Sequence, residues 1–216
     1  MKTRFDDELE ALKCSVIMLG SMAEEGLKVL IEALKSHDEE SLGILAENSR
    51  RIAEKERSIE SDCLRLLLRR QPVARDLRTI SSALRIVSDI DRIGDNSADI
   101  AEIIPFLKED GSAERIGLDS MAGDVKRILN QAIDSFVHMD SVQAESAIGM
   151  DDVIDSAFVE AKNRITLMIR EGEDDAEEAP DLLMIAKYLE RMADHAVSIA
   201  QWVIWSLDGQ ANRTEN

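Results

Sequence analysis

The sequence predicts an all-α protein built from long helices, and three observations predict it. Of 216 residues only three are proline and ten are glycine, and aromatic residues make up 3%, so turn and strand formers are scarce. Leu, Ile, Ala, Glu, Asp, Arg and Lys dominate, a composition that favours helix. Apolar residues recur at three-four spacing over stretches of roughly 25 to 33 residues, about 40 to 50 Å of helix at the usual rise, which suits extended bundles. An apolar content of 44% can bury a good core, and a charged content of 32% opposes a membrane span. The formal charge of -18 disfavours nucleic acid and anionic membranes by bulk electrostatics, although a local basic face remains compatible with it; cationic partners suit it better.

The elements follow in order. Phe5, Leu9, Leu12, Val16, Leu19, Met22, Leu27, Leu30 and Leu34 mark helix one, which "SHDEES" interrupts. The opening "MKTRFDDELEALK" is acidic and amphipathic, without the apolar region or cleavage site of a secretory signal, so a cytoplasmic protein is expected. Helix two starts near Glu39 and carries Leu42, Leu45, Ile52, Ile59, Cys63 and Leu66 until Gln71-Pro72 stops it. Pro72 suits the first turn of helix three, where its missing N–H has no partner to lose; this helix runs to about Lys108 and ends at "EDGSAE". Helix four covers about Glu114 to His138, helix five Val142 to Arg170, and helix six Leu182 to Leu207. Between the last two, "EGEDDAEEAPD" reads as a solvated loop capping the N-terminus of helix six. Cys14 and Cys63 have neither redox nor zinc spacing and read as reduced core thiols.

Helix three slides onto helix six with an offset of 99 residues: Leu84 meets Leu183, Ile90 meets Leu189, Asp91 meets Glu190, Arg92 meets Arg191, Asp95 meets Asp194 and Ala101 meets Ala200. "DRIGD" and "ERMAD" are thus two copies of one pattern. The repeat predicts two like halves, roughly residues 1–110 and 111–216, superposable by this offset, with helix three against helix six as a plausible contact. In each copy an acid interrupts an apolar stride, Leu77, Ile80, Leu84, Val87, Asp91, Gly94, Ala98 and Ala101 in the first.

Residues four apart share a helix face, so Asp91 with Asp95, and Glu190 with Asp194, set like charges side by side. That repulsion calls for a cation or a basic side chain between them. The preceding helix of each half supplies further acids, Glu56 and Glu60 in helix two and Asp151 and Asp155 in helix five. Oxygen-rich, histidine-poor sets suit Mg, Mn, Ca or iron. The competing reading is a set of ion pairs to Arg92, Arg191 or Arg78. His37 and His138 end helices and His195 stands one position off the carboxylate face, so all three read as surface or capping residues.

"QPVARDLR" at 71–78, "DIDRIGDNSADIAE" at 89–102 and "YLERMADHAVSIAQW" at 188–202 resemble the PhoU family, over nearly the whole chain. The resemblance implies an all-α fold of two pseudo-symmetric three-helix bundles side by side, with divalent metals (iron, Mn, Mg or Zn) at the carboxylate clusters. It also implies a role in shutting down the phosphate-starvation response, as a bridge between the phosphate transporter's ATPase, PstB-like, and a PhoR-like membrane sensor histidine kinase. A homodimer is expected, with "WVIWSL" as a candidate apolar contact, no nucleic acid, and membrane contact only through partner proteins.

Three departures from the family pattern stand out. Met192-Ala193 replaces Ile-Gly; Asp99 and Ser198 stand where Asn is common, which adds Asp99 to the first cluster; and Ser49 occupies the helix-two position that matches Asp151. A ferritin-like di-iron protein needs Glu-x-x-His, whereas Leu34, Ser135 and Met192 precede the three histidines by three. A metal-independent helical adaptor remains the other alternative. The sequence contains no nucleophile-base set or glycine-rich phosphate loop, so no enzyme is expected.

Overall fold

The structure, a computed structural model, describes residues 4–70, 74–108, 111–172 and 176–208. Its helices are α1 (Arg4–Ser36), α2 (Glu39–Arg70), α3 (Ala74–Ile103), α4 (Ser112–Ile116), α5 (Leu118–His138), α6 (Ser141–Ile148), α7 (Asp151–Glu171) and α8 (Ala179–Asp208), with 3-10 turns at Ile104–Phe106 and Ala176–Glu178. No strand occurs among the described residues. Helices α1, α2 and α3 pack on one another, as do α5, α6, α7 and α8, and the two bundles meet through α3 on α8 and α1 on α5.

Both junctions are antiparallel. Along α3 and α8, Ser82 Oγ donates to the Trp202 carbonyl at 3.1 Å while Asp89 meets Ser198 at 2.7 Å, so residue numbers climb on one helix as they fall on the other. On the other junction Lys35 pairs with Asp119 at 3.6 Å, and a Cβ at Gly20 would stand 2.8 Å from Ile133 Cδ1. Two bundles related by a pseudo-twofold axis result.

The turns that enter the second helix of each half are built alike. His37 (φ 52) and Met139 (φ 51) take the left-handed conformation that closes the preceding helix. Asp38 and Asp140 then accept N-terminal amides, from Ser41 at 2.8 Å and from Val142 at 2.9 Å. Hydrogen bonds from the Ser36 hydroxyl, and then from Ser41, hold the Asp38 carboxyl down at about 2.

Four expected boundaries are corrected. Helix three ends at Ile103 because Pro105, lacking an N–H, diverts the chain into a 3-10 turn. The fourth helix opens as the separate α4, since Gly117 (φ 92) breaks the path before α5. The fifth is cut between Ile148 and Asp151 into α6 and α7, while its counterpart α2 runs unbroken. The sixth starts earlier, at Ala179. The expectation for Pro72 lies outside the described residues.

The apolar stride through Asp91 straddles the margin of the buried face of α3: its Ile80, Val87, Gly94 and Ala101 are buried, while the row of Asp91 itself lies at the edge. Ile86, Ile90, Ile93 and Ile100 are fully buried, whereas Leu77 is exposed and Leu84 and Ala98 are half-buried. Asp91 therefore stands at the margin where α3 meets α2, half-buried, with water on one side.

Candidate functional site

Gly94 is buried between Asp91 and Asp95, and a Cβ there would stand 3.0 Å from Ile52 Cδ1. This close approach brings the polar face of α2 against the two acids. Ser49 Oγ donates to Asp95 Oδ1 at 3.4 Å, and Arg92 Nη1 lies 3.3 Å from Asp95 Oδ2. Asp91 Oδ1 is buried without a hydrogen-bond partner. Burial, and then the charge of Asp95, raise the pKa of Asp91; burial, Asp91 and Glu60 do the same for Glu56. Arg57 and Arg92 oppose both shifts without cancelling them.

The second cluster joins α7 to α8. Burial and the negative charges of Asp155, Asp152 and Glu190 raise Asp151. Burial, then Glu190 and Asp151, push Asp194 up to about 6. Asp194 keeps one side open to solvent. Lys187 Nζ lies 2.5 Å from Glu190 Oε2 and supplies the nearby positive charge. Ser49 of the first cluster and Asp151 of the second face equivalent acids, Asp95 and Asp194, so a hydroxyl stands on one side where a carboxylate stands on the other.

Eight sequence-selected acids thus gather in two fours, Glu56, Glu60, Asp91 and Asp95 on one side and Asp151, Asp155, Glu190 and Asp194 on the other. Asp99 does not join them: it faces Tyr188 across the α3–α8 seam, where burial and then the charge of Asp99 raise the pKa of the Tyr188 hydroxyl. Arg78 does not serve Asp91 either, for its Nε is buried without a hydrogen-bond partner, and the arginine pair of this cluster is Arg92 with Asp95.

The all-oxygen donor set, the orphaned Asp91 Oδ1 and the raised proton affinities fit a hard divalent cation, which favours the charged carboxylates as a proton cannot. As the side chains stand, no three His, Cys, Asp or Glu among the described residues converge closely enough to hold an ion. The clusters are charge-crowded sets that an ion would draw together.

One polar group was missed by the sequence reading. Asp89 of α3 accepts from Ser198 Oγ at 2.7 Å and lies 2.9 Å from His195 Nδ1, so His195 is tied into the seam between the bundles and is neither a surface nor a capping residue. The 99-residue repeat could have found it. Exchanging the halves turns the pair Asp89 and Ser198 into Tyr188 and Asp99, the second contact the seam makes.

Fold and site together define a tandem helical-repeat protein with one charge-crowded carboxylate cluster per repeat. The PhoU domain profile matches residues 16–104 and 118–203, one copy in each half, and the chain belongs to the PhoU family. A phosphate-specific transport system accessory protein PhoU homolog of Clostridium acetobutylicum is 28% identical over 208 residues, which cover 95% of each chain. PhoU homolog 1 of Thermotoga maritima is 32% identical over 95% of this chain and 90% of its own. Among solved structures, PhoU from Pseudomonas aeruginosa superposes with a TM-score of 0.90 at 29% identity, covering 96% of this chain and 100% of that one. The phosphate transport system regulatory protein PhoU from Streptococcus pneumoniae gives 0.89 at 28% identity, over 96% and 99%.

Proposed function

We propose that this chain is a PhoU-like accessory of phosphate transport that restrains uptake and starvation signalling when phosphate is ample. It couples a PstB-like transporter ATPase to a PhoR-like sensor histidine kinase, works in the cytoplasm as a homodimer, and holds divalent cations at its two carboxylate clusters. One observation carries this reading: a PhoU domain matched in each half, within relatives of nearly the same length named for the phosphate-specific transport system. No helix among the described residues is long and apolar enough to cross a membrane, so membrane contact is assigned to the partners.

The test is a pulldown from a phosphate-replete lysate together with a deletion strain. Recovery of the ATPase or the kinase, with starvation genes left on in the deletion, is expected. Recovery of neither, with normal repression in the deletion, overturns the reading.

A metal-independent adaptor is the second reading, favoured by the ion pairs Arg92 with Asp95 and Lys187 with Glu190. Elemental analysis before and after chelator treatment separates the two.

A further inference from the structure

The chain's two tryptophans and one tyrosine, Trp202, Trp205 and Tyr188, all stand on α8. Trp202 and Trp205 pack edge to face, half-buried, with ring centroids 5.5 Å apart. Arg85 of α3 crosses the seam to lie over Trp202 at 5.6 Å, and Arg191 lies over Tyr188 at 5.9 Å. Acids outnumber bases 44 to 26 in this chain, yet among the described residues neither arginine forms an ion pair. Both are exposed, and their charge is left for a ligand from outside.

Residues seven apart share a helix face, so Arg85 with Arg92 on α3, and Met184 with Arg191 on α8, line one side of the seam. The 99-residue offset carries Arg85, Trp202 and Trp205 onto Met184, Ile103 and Phe106 at the other end of that side. There the twin positions are apolar and open: Phe106 is 73% exposed, Met184 is exposed and Ile103 is half-buried. A groove between antiparallel helices thus runs about 30 Å at helical rise, from a cationic aromatic end to an apolar one. A stripe of large apolar anchors on such a groove suits a docked helix, and tryptophan, tyrosine and arginine are the side chains that carry most binding energy at interfaces.

We infer that this groove, through Arg85, Arg191, Trp202 and Trp205 along one part and Met184 and Phe106 at the far end, receives an acidic amphipathic helix of a partner protein. Carboxylates on that helix answer the two arginines, and its apolar stripe meets the rings, Met184 and Phe106. A second copy of this chain does not fit here. Arg92 and Arg191 are twins beside the pseudo-axis, so any twofold pairing of this face sets arginine against arginine at its centre. Two such arginines are also too few for nucleic acid, whose hold depends on many phosphate contacts, and a charge of -18 repels an anionic membrane. The inference rests on the partners of the proposed function and names the surface that holds one of them.

Interferometry of the full chain against the purified transporter ATPase, and against the sensor kinase in detergent, tests it with two variants, Arg85→Glu, and Phe106→Ser with Met184→Ser. They alter opposite ends of the groove and lie outside both carboxylate clusters. With whichever partner binds the unaltered chain, each variant is expected to bind at least roughly tenfold more weakly. Val142→Ser, at an exposed apolar position on α6, is expected to bind as the unaltered chain does. Circular dichroism of each variant confirms that it is folded. Binding unchanged in either groove variant, or weakened equally by Val142→Ser, overturns the groove and leaves the proposed function standing. An unaltered chain that binds neither protein removes the proposed partners and this occupant together. Tighter binding to phosphatidylglycerol vesicles than to either protein, lost in the groove variants, overturns the inference by making the surface a lipid one.

Discussion

At the residue scale, Asp194 shows most directly what the clusters cost the fold. Its carboxyl is raised from 3.8 to about 6 by burial and by Glu190 and Asp151. The folded state therefore keeps a proton at pH values where the unfolded state has lost it, and stability falls as pH rises from about 4 to about 6. Above that window the penalty is constant. In chelator, Asp194→Asn is expected to raise the melting temperature by roughly 1 to 3 °C at pH 7.5 and to leave it unchanged near pH 4, the effect being small because water screens an accessible group. Equal melting temperatures at both pH values would show that the acids do not strain one another.

Glycines carry the element-scale argument, because they decide how closely the helices approach. At the α1–α5 junction a Cβ on Gly20 meets three atoms of Ile133 between 2.8 and 3.2 Å, and a β-branched side chain inside a helix has no easy retreat. Overpacking of about 1 to 3 kcal/mol outweighs the gain of about 1 kcal/mol in helix propensity, so Gly20→Ala is expected to destabilise by about 1 kcal/mol. Gly123 lies within α5 with nothing within 4 Å of its would-be Cβ, so Gly123→Ala is expected to stabilise by up to about 1 kcal/mol. Urea denaturation of both variants checks the contrast. If both moved in the same direction, the close approach of α1 and α5 would be wrong.

The same scale shows how far the sequence could be read. The 99-residue offset revealed the repeat, the contact of α3 with α8 and the paired acids Asp91 with Asp95 and Glu190 with Asp194, because helical strides and duplicated motifs are local signals. The break between α6 and α7 escaped because Gly149 adopts ordinary helical angles, so nothing in its neighbourhood marks an end. Asp99 was misplaced for a different reason. It lies two strides of four from Asp91, and at 100° per residue each stride turns it another 40°, away from α2 and toward Tyr188. Asp89 was passed over because its partners, His195 and Ser198, come from more than a hundred residues away.

On the scale of the whole molecule, two bundles share one pseudo-twofold axis and place a carboxylate cluster on each outer flank of the α3–α8 pair. The apolar seam between them carries polar contacts at its edges, Asp89 with His195 and Ser198 on one side of the axis and Tyr188 facing Asp99 on the other. Each cluster is built from one bundle's own helices, α2 with α3 or α7 with α8, so each should gain or lose its ion without the other. Equilibrium dialysis against micromolar Mn(II), followed by elemental analysis, tests this most directly. The unaltered chain is expected to bind metal at both clusters, Asp91→Asn with Asp95→Asn to retain about half of it, Glu190→Gln with Asp194→Asn to retain the other half, and all four changes together to bind none. No metal on the unaltered chain, or the same content in every variant, would contradict the account and leave the carboxylates to Arg92 and Lys187.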